Sequence, residues 1–173
     1  MRLQKITGWS RLGNELVLTA GGAVVGLSFH QSDILRLRLN EGSALTEDPD
    51  KFIVEHPCAE PCFSVTEEAS GPRLSTETSV VRITFSPFSV KAYRQDGKLL
   101  VQTKGSAPAD AEKDRSVLRL SLTESEQIYG LGQDPMGNVN QRGHERRMWN
   151  EWGGLHVCAN AALPFYFSSE GYG

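Results

Sequence analysis

The sequence predicts an all-β protein, an antiparallel β-sandwich, and three observations lead to that fold class. Short apolar runs that alternate with a period of two residues recur along the first two thirds of the chain. Turn signals containing glycine separate several of these runs, and no window keeps an apolar 3.6-residue period over three helical turns. Many short strands separated by turns are typical of antiparallel sandwiches and barrels.

The predicted strands begin with a hairpin. Residues 15–19 and 24–29 are apolar, and they flank Gly21-Gly22, a dipeptide that favours a tight turn. Residues 34–39 (ILRLRL) place their leucines on one face and their arginines on the other, as a half-buried strand does. Further strands are predicted over residues 52–55, 63–67, 73–78, 80–85, 88–93, 98–102, 117–122 and 163–167.

Two segments between the strands have clear local signals. Asp96-Gly97 precedes the strand predicted at 98–102 and indicates a hairpin turn. Residues 107–115 (APADAEKDR) favour helix by composition, but they lack an apolar stripe. We therefore predict a solvated surface loop there.

Composition limits the classes of partner. The 173 residues fit one domain over 1–173, and the net charge of −3 gives no electrostatic reason to expect nucleic acid or an anionic membrane as a partner. No run of 18 apolar residues predicts a transmembrane helix. The three cysteines cannot all pair within the chain, and residues 16–29 fit two strands better than a signal peptide. These features predict a cytoplasmic protein.

The segment 128–173 carries four short blocks of sequence. They are Tyr129-Gly130-Leu131-Gly132, Arg142-Gly143, Trp149-Asn150, and the run LPFYFSSEGYG at 163–173. In this order and spacing, the blocks resemble the N-terminal domain of glycoside hydrolase family 31, which contains α-glucosidases and α-xylosidases. Before residue 128 the resemblance is only a pattern of strands.

The resemblance implies a galactose-mutarotase-like sandwich that supports a catalytic (β/α)8 barrel. In the family both catalytic aspartates lie in that barrel, so no catalytic residue, metal or cofactor is expected within 1–173. The parent protein would be a retaining α-glycosidase that acts on α-linked oligosaccharides or glycosides, with the barrel as the partner of this domain. The alternative is a stand-alone carbohydrate-binding or structural β-sandwich.

Five residues are predicted to shape the substrate pocket of that parent: Arg142, Trp149, Asn150, Glu151 and Trp152. Aromatic faces stack on sugar rings, while amides and charged groups bind hydroxyls, so a sugar site needs this mixture. In the family a loop of the N-terminal domain reaches the barrel mouth. The family often has an aspartate two residues after the asparagine, where this chain has Trp152. Packing in the sandwich core is the alternative for Trp149.

Other motifs favour structural interpretations. Gly130-Leu-Gly132 lacks the third glycine of a dinucleotide loop at position 135, so the glycines are expected to supply positive φ angles. Glu124-x-Glu126 is interpreted as a pair of solvated charges. The apolar run at 163–167 predicts self-association of the isolated domain.

A zinc site is the one metal centre that the spacing permits. Cys58, Cys62, His156 and Cys158 could supply three thiolates and one imidazole, but the second pair has an unusual spacing. Ordinary buried thiols are the favoured interpretation.

Overall fold

The computed structural model describes residues 5–45, 63–103, 118–132, 137–146 and 163–173. The chain divides into two compact units, Met1–Ser121 and Leu122–Gly173. Every regular element of the described residues is a β-strand, and the paired strands run antiparallel, so the all-β prediction is confirmed. The strands are β1 (Gly8–Leu12), β2 (Glu15–Ala20), β3 (Ala23–Gln31), β4 (Ile34–Glu41), β5 (Ser64–Glu68), β6 (Gly71–Ser75), β7 (Ser79–Phe85), β8 (Phe88–Arg94), β9 (Leu99–Thr103), β10 (Leu120–Ser121), β11 (Ile128–Gly130) and β12 (Tyr166–Ser168).

The first unit contains a four-stranded sheet in the order β1-β2-β3-β4. Its β2–β3 hairpin closes at Gly21-Gly22, where Gly22 has a φ of 88° and Ala20 pairs with Ala23, as the sequence predicts. Strand β3 is buried along nearly its whole length. On its outer face, the side chain of Leu45 approaches the backbone of Gly26, so that a chain segment from beyond β4 covers part of this face.

The same unit contains a six-stranded sheet in the order β10-β9-β8-β7-β6-β5. Consecutive strands pair as neighbours throughout, and from β5 to β9 each strand returns through a short turn. At the β8–β9 turn, Asp96 accepts hydrogen bonds from the side chain of Arg94 and from the backbone N–H of Lys98. The hairpin predicted at Asp96-Gly97 is therefore confirmed.

Alternate residues of both sheets form one apolar core. The core residues are at most 8% exposed. Burying a valine, leucine, isoleucine or phenylalanine side chain stabilises the fold by about 1.5–3 kcal/mol. The leucines of β4 that were predicted on one face pack against this core. Its buried members are Ile6, Leu16, Leu18, Ala20, Ala23, Val25, Leu27, Phe29, Phe63, Leu74, Val81, Ile83, Phe88 and Val90.

The prediction misses strands β1 and β11, and it misplaces the bounds of β10 and β12, since β12 spans Tyr166–Ser168 where 163–167 was predicted. Strand β1 is missing from the prediction because its apolar residues do not alternate clearly, yet Trp9 packs against the core and Arg11 lies 4.6 Å from the centroid of the Phe63 ring. Strand β10 has only two residues, whereas six were predicted, and Leu118 on its N-terminal side is 55% exposed. Residues 52–55, 107–115 and 117 lie outside the described residues.

The prediction of one domain over 1–173 stays a prediction. No helix among the described residues is long and apolar enough to cross a membrane.

Candidate functional site

The second unit is built on the antiparallel pair β11–β12, which holds two of the family-like sequence blocks side by side. Ile128 pairs with Ser168 and Tyr129 pairs with Phe167. The rings of Tyr129 and Phe167 stack on one face of this pair, with centroids 5.3 Å apart and planes 28° apart. Phe165 and Phe167 are 61% and 50% exposed, so this face presents aromatic surface to solvent.

The loop that follows β11 explains the glycines of the first block. Gly130, Leu131 and Gly132 all have positive φ angles, at 98°, 63° and 82°. A Cβ at Gly130 would lie 2.8 Å from the backbone oxygen of Phe165, and the Leu131 N–H donates to that same oxygen at 2.7 Å. The glycines therefore serve the backbone turn beside β12, which confirms the structural interpretation of this motif.

Glu126 forms the polar centre of the unit. Its side chain is 1% exposed, and its Oε1 accepts hydrogen bonds from the Ser168 Oγ and the Tyr172 hydroxyl, both at 2.5 Å. Its Oε2 accepts a bond of 2.8 Å from the backbone N–H of Thr123. The prediction of a solvated Glu126 is therefore wrong. A carboxylate tolerates burial when hydrogen-bond donors replace its water, as they do here.

These contacts determine the charge state of the Glu126 carboxyl. Burial raises its pKa, but the hydrogen bonds from Ser168 and Tyr172 act in the opposite direction. Together with the Thr123 N–H and the nearby charge of Arg142, they hold the pKa of Glu126 below its usual value.

The Tyr172 phenol shows the reciprocal effect. Burial raises its pKa first, and the hydrogen bond to Glu126 raises it further. At neutral pH the site thus contains an ionised carboxylate and a protonated phenol that donates to it.

Arg142 is fixed to the same turn by one nitrogen. Its Nη1 donates to the backbone oxygens of Thr123 and Glu126, at 2.7 and 2.6 Å. The side chain of Glu126 closes this turn through the Thr123 N–H, so the two carbonyls are presented by a loop that the carboxylate braces. Arg142 is exposed, and within the described ranges the hydrogen bonds of its side chain come from Nη1.

The backbone around Arg142 is also anchored. The Oδ1 of Asn140 accepts from the N–H of Ile128 and from the N–H of Arg142, each at 3.1 Å. The Gln141 N–H donates to the Ile128 oxygen at 2.7 Å. The main chain at Arg142 is thereby tied to β11.

The structure places only one of the five predicted pocket residues. Arg142 lies in the network around Glu126, whereas residues 149–152 lie outside the described residues, so their roles stay predictions. The four candidate zinc ligands, Cys58, Cys62, His156 and Cys158, also lie outside them. Within the described ranges, no three His, Cys, Asp or Glu side chains form a group that could hold a metal ion.

Sequence reasoning missed the network itself. Ser168 and Tyr172 were noticed only as members of the last block, and Glu126 was assigned to solvent. One signal could have indicated the network, because a serine directly after the predicted strand 163–167 and a tyrosine between two glycines are polar groups beside an apolar run. A buried hydroxyl needs an acceptor, and Glu126 lies just before β11, the strand that pairs with β12.

Comparison with known proteins gives a consistent result. Residues 24–173 match the family described as the glycosyl hydrolase 31 N-terminal galactose mutarotase-like domain. The chain is 24% identical to an isomaltosyltransferase of Sporosarcina globispora over 97% of its own length and 17% of that protein. It is 25% identical to alpha-glucosidase 2 of Bacillus thermoamyloliquefaciens over 73% of its own length and 16% of that protein.

Among solved structures, a GH31 dextranase of Flavobacterium johnsoniae in complex with glucose is similar in fold. The TM-score is 0.82 at 24% identity, over 98% of this chain and 22% of the dextranase. The chain therefore spans about a fifth of the length of these relatives.

Proposed function

The chain belongs to the glycosyl hydrolase 31 family, and from this membership we propose that it is the non-catalytic N-terminal part of a retaining α-glycosidase of the α-glucosidase or α-xylosidase type. It supports a catalytic (β/α)8 barrel and contributes one loop to the substrate pocket. The observation that carries this proposal is the family match, which extends over residues 24–173.

We expect the substrate to be an α-linked glycoside or oligosaccharide. The relatives include an isomaltosyltransferase, an alpha-glucosidase and a dextranase bound to glucose. A glucosyl unit in α linkage is the chemistry that these names share. Glycoside hydrolysis with retention needs two carboxyl groups about 5–5.5 Å apart, and the family resemblance assigns both of them to the barrel.

The proposed pocket loop comprises Arg142 and the segment 149–152. The two hydrogen bonds from Nη1 restrict the rotamers of the Arg142 guanidinium. Such a group binds a hydroxyl or carboxylate oxygen at a reduced entropic cost. Trp149, Trp152 and the polar side chains between them supply ring surface and hydroxyl ligands in the same loop.

The proposal is tested by expressing a longer protein that includes this chain and the region encoded after it. Hydrolysis of aryl α-glucosides, aryl α-xylosides or isomalto-oligosaccharides is expected, with retention of configuration in the first product. Absence of activity on all three classes would contradict the proposal. The 173-residue chain alone should be inactive, and turnover by it that disappears on Glu151→Gln would show that it carries its own catalytic carboxylate.

The pocket loop has a separate test in the longer enzyme. Trp152→Ala should lower kcat/KM by an amount equivalent to about 1–3 kcal/mol, as expected for one lost pocket contact. Trp152→Phe, which keeps an aromatic face, is the matched control and should retain most of the activity. Unchanged kinetics of Trp152→Ala on every cleaved substrate would remove this residue from the pocket.

A further inference from the structure

The family resemblance assigns no role to Glu126, the buried centre of the network that also holds Arg142. Its carboxylate accepts three hydrogen bonds, and each bond reaches a different part of the unit. The Thr123 N–H belongs to the turn before β11, Ser168 belongs to β12, and Tyr172 follows β12. A buried carboxylate with this many donors restrains its neighbours, because the loss of any one bond leaves part of the buried charge without a donor.

The restraint reaches Arg142 through the backbone. Glu126 and Thr123 contribute the two carbonyl oxygens that hold the Arg142 Nη1. The spacing of those oxygens depends on the turn between the two residues, and the Glu126 side chain closes that turn on the Thr123 N–H at 2.8 Å. The carboxylate therefore sets the geometry of the carbonyl pair, and the carbonyl pair sets the orientation of the guanidinium.

We propose that Glu126 is a positioning residue that holds the Arg142 guanidinium ready for a sugar hydroxyl through the Thr123–Glu126 turn. Glu126 itself does not contact the ligand, since it is 1% exposed. The ligand assignment depends on the proposed glycosidase function, whereas the positioning of Arg142 does not. Glu124 in the same turn is exposed, and it provides a control of identical chemistry.

The first experiment measures the arginine side chain in the 173-residue chain by ¹⁵N NMR. Because Nη1 makes two hydrogen bonds, rotation about the Arg142 Nε–Cζ bond should be slow in the wild type and in Glu124→Gln. In Glu126→Gln that rotation should become at least about tenfold faster, which is the effect of losing one hydrogen bond to a charged group. Equal rotation rates in all three proteins would overturn the proposal.

A second set of variants covers the case in which Glu126→Gln does not fold. Ser168→Ala and Tyr172→Phe each remove one donor to Oε1 and leave the carboxylate in place. Each should accelerate the Arg142 rotation by a smaller factor than the loss of the carboxylate. An unchanged rotation rate in both variants would overturn the proposal equally well.

The second experiment uses the longer enzyme and an aryl α-glucoside. Glu126→Gln and Arg142→Gln should each raise KM by about tenfold with kcat within about twofold, because ground-state binding is lost. The KM of the double variant should be no higher than that of Arg142→Gln alone, since both changes remove the same contact. Additive effects, or a fall in kcat with KM unchanged, would assign Glu126 a structural role only. An inactive wild-type enzyme would refute the proposed glycosidase, and the NMR result would still decide the positioning role.

Discussion

Gly71 provides the sharpest test of the sandwich packing. This buried residue opens β6, and its φ of 143° lies in a region that residues with a side chain rarely adopt. A Cβ at this position would lie 2.5 Å from the backbone oxygen of Ile83 and 3.0 Å from the ring of Phe85. The Ile83 oxygen belongs to the neighbouring strand β7, so it cannot move without disturbing the sheet.

The cost of Gly71→Ala has two separable parts. Holding a residue with a Cβ in this backbone region costs about 1–3 kcal/mol. Forcing an additional methyl group against a fixed carbonyl costs a further 1–3 kcal/mol, roughly. The lower entropy of the unfolded chain returns about 0.4–1 kcal/mol. We therefore expect Gly71→Ala to lower the free energy of unfolding by about 1–5.5 kcal/mol.

Two other glycines separate these parts. Gly97 has a φ of 88°, but a Cβ at this position would have no atom within 4 Å, so Gly97→Ala should show the backbone cost alone, about 1–2 kcal/mol. Gly21 has neither a positive φ nor a neighbour within 4 Å, so Gly21→Ala should change stability by less than about 0.5 kcal/mol.

Urea denaturation of the four proteins, followed by far-UV circular dichroism, measures these differences. Each kcal/mol should also lower the Tm of a chain of this size by about 2–4 °C. The expected order of stability is wild type and Gly21→Ala, then Gly97→Ala, then Gly71→Ala. If Gly71→Ala is no less stable than Gly97→Ala, the close approach of β6 to the Ile83 carbonyl is refuted.

Three further predictions concern charge and exposed surface. The folded-state pKa of Glu126 lies below its unfolded value, so its stabilisation is present above the unfolded pKa and is lost as the pH falls through the folded pKa. On acidification from about pH 6 to about pH 3, the free energy of unfolding should therefore fall more in the wild type than in Glu126→Gln. Parallel curves of the free energy of unfolding against pH would contradict this. The hydrogen bond from Arg94 lowers the pKa of Asp96 to about 2. In an NMR titration, Arg94→Gln should therefore return the pKa of Asp96 toward its ordinary value. An unchanged titration midpoint would show that the Arg94–Asp96 hydrogen bond does not lower this pKa. In light scattering, Phe165→Lys should reduce self-association of the 173-residue chain. Val139→Lys, at another exposed apolar residue, is the control and should not reduce it. A wild-type chain that is monomeric at high concentration would refute this expectation.

The fold was predictable where the sequence alternates. Residues 34–39 and 80–85 show a period of two, and each became a strand with its apolar face toward the core. Strand β1 was not predictable in this way, because its residues pair with β2 through the backbone and only Trp9 contributes to the core. Strand β10 shows the opposite failure, since its alternating leucines continue beyond the two residues that pair with β9.

The candidate site was predictable only in outline. The sequence blocks identified the segment that carries Tyr129, Arg142 and Tyr172, but they gave no indication that Glu126 joins them. A charged residue in a polar stretch is normally solvated, and its burial depends on donors that come from residues more than 40 positions later in the chain. Such donors cannot be inferred from local pattern, because antiparallel pairing of β11 and β12 brings them together.

The burial of Glu126 also bears on why β11 and β12 pair in one register. A buried ion pair or carboxylate adds little net stability, since the loss of water offsets the hydrogen bonds that replace it. Its larger effect is to penalise alternatives, because a shift of β12 against β11 would remove the Ser168 and Tyr172 donors and leave the Thr123 N–H to solvate the charge. A shift by one residue would also turn Ser168 to the opposite face and bring Phe167 toward the carboxylate. We therefore expect the carboxylate to favour one register of the β11–β12 pair, together with the turn whose carbonyls hold Arg142.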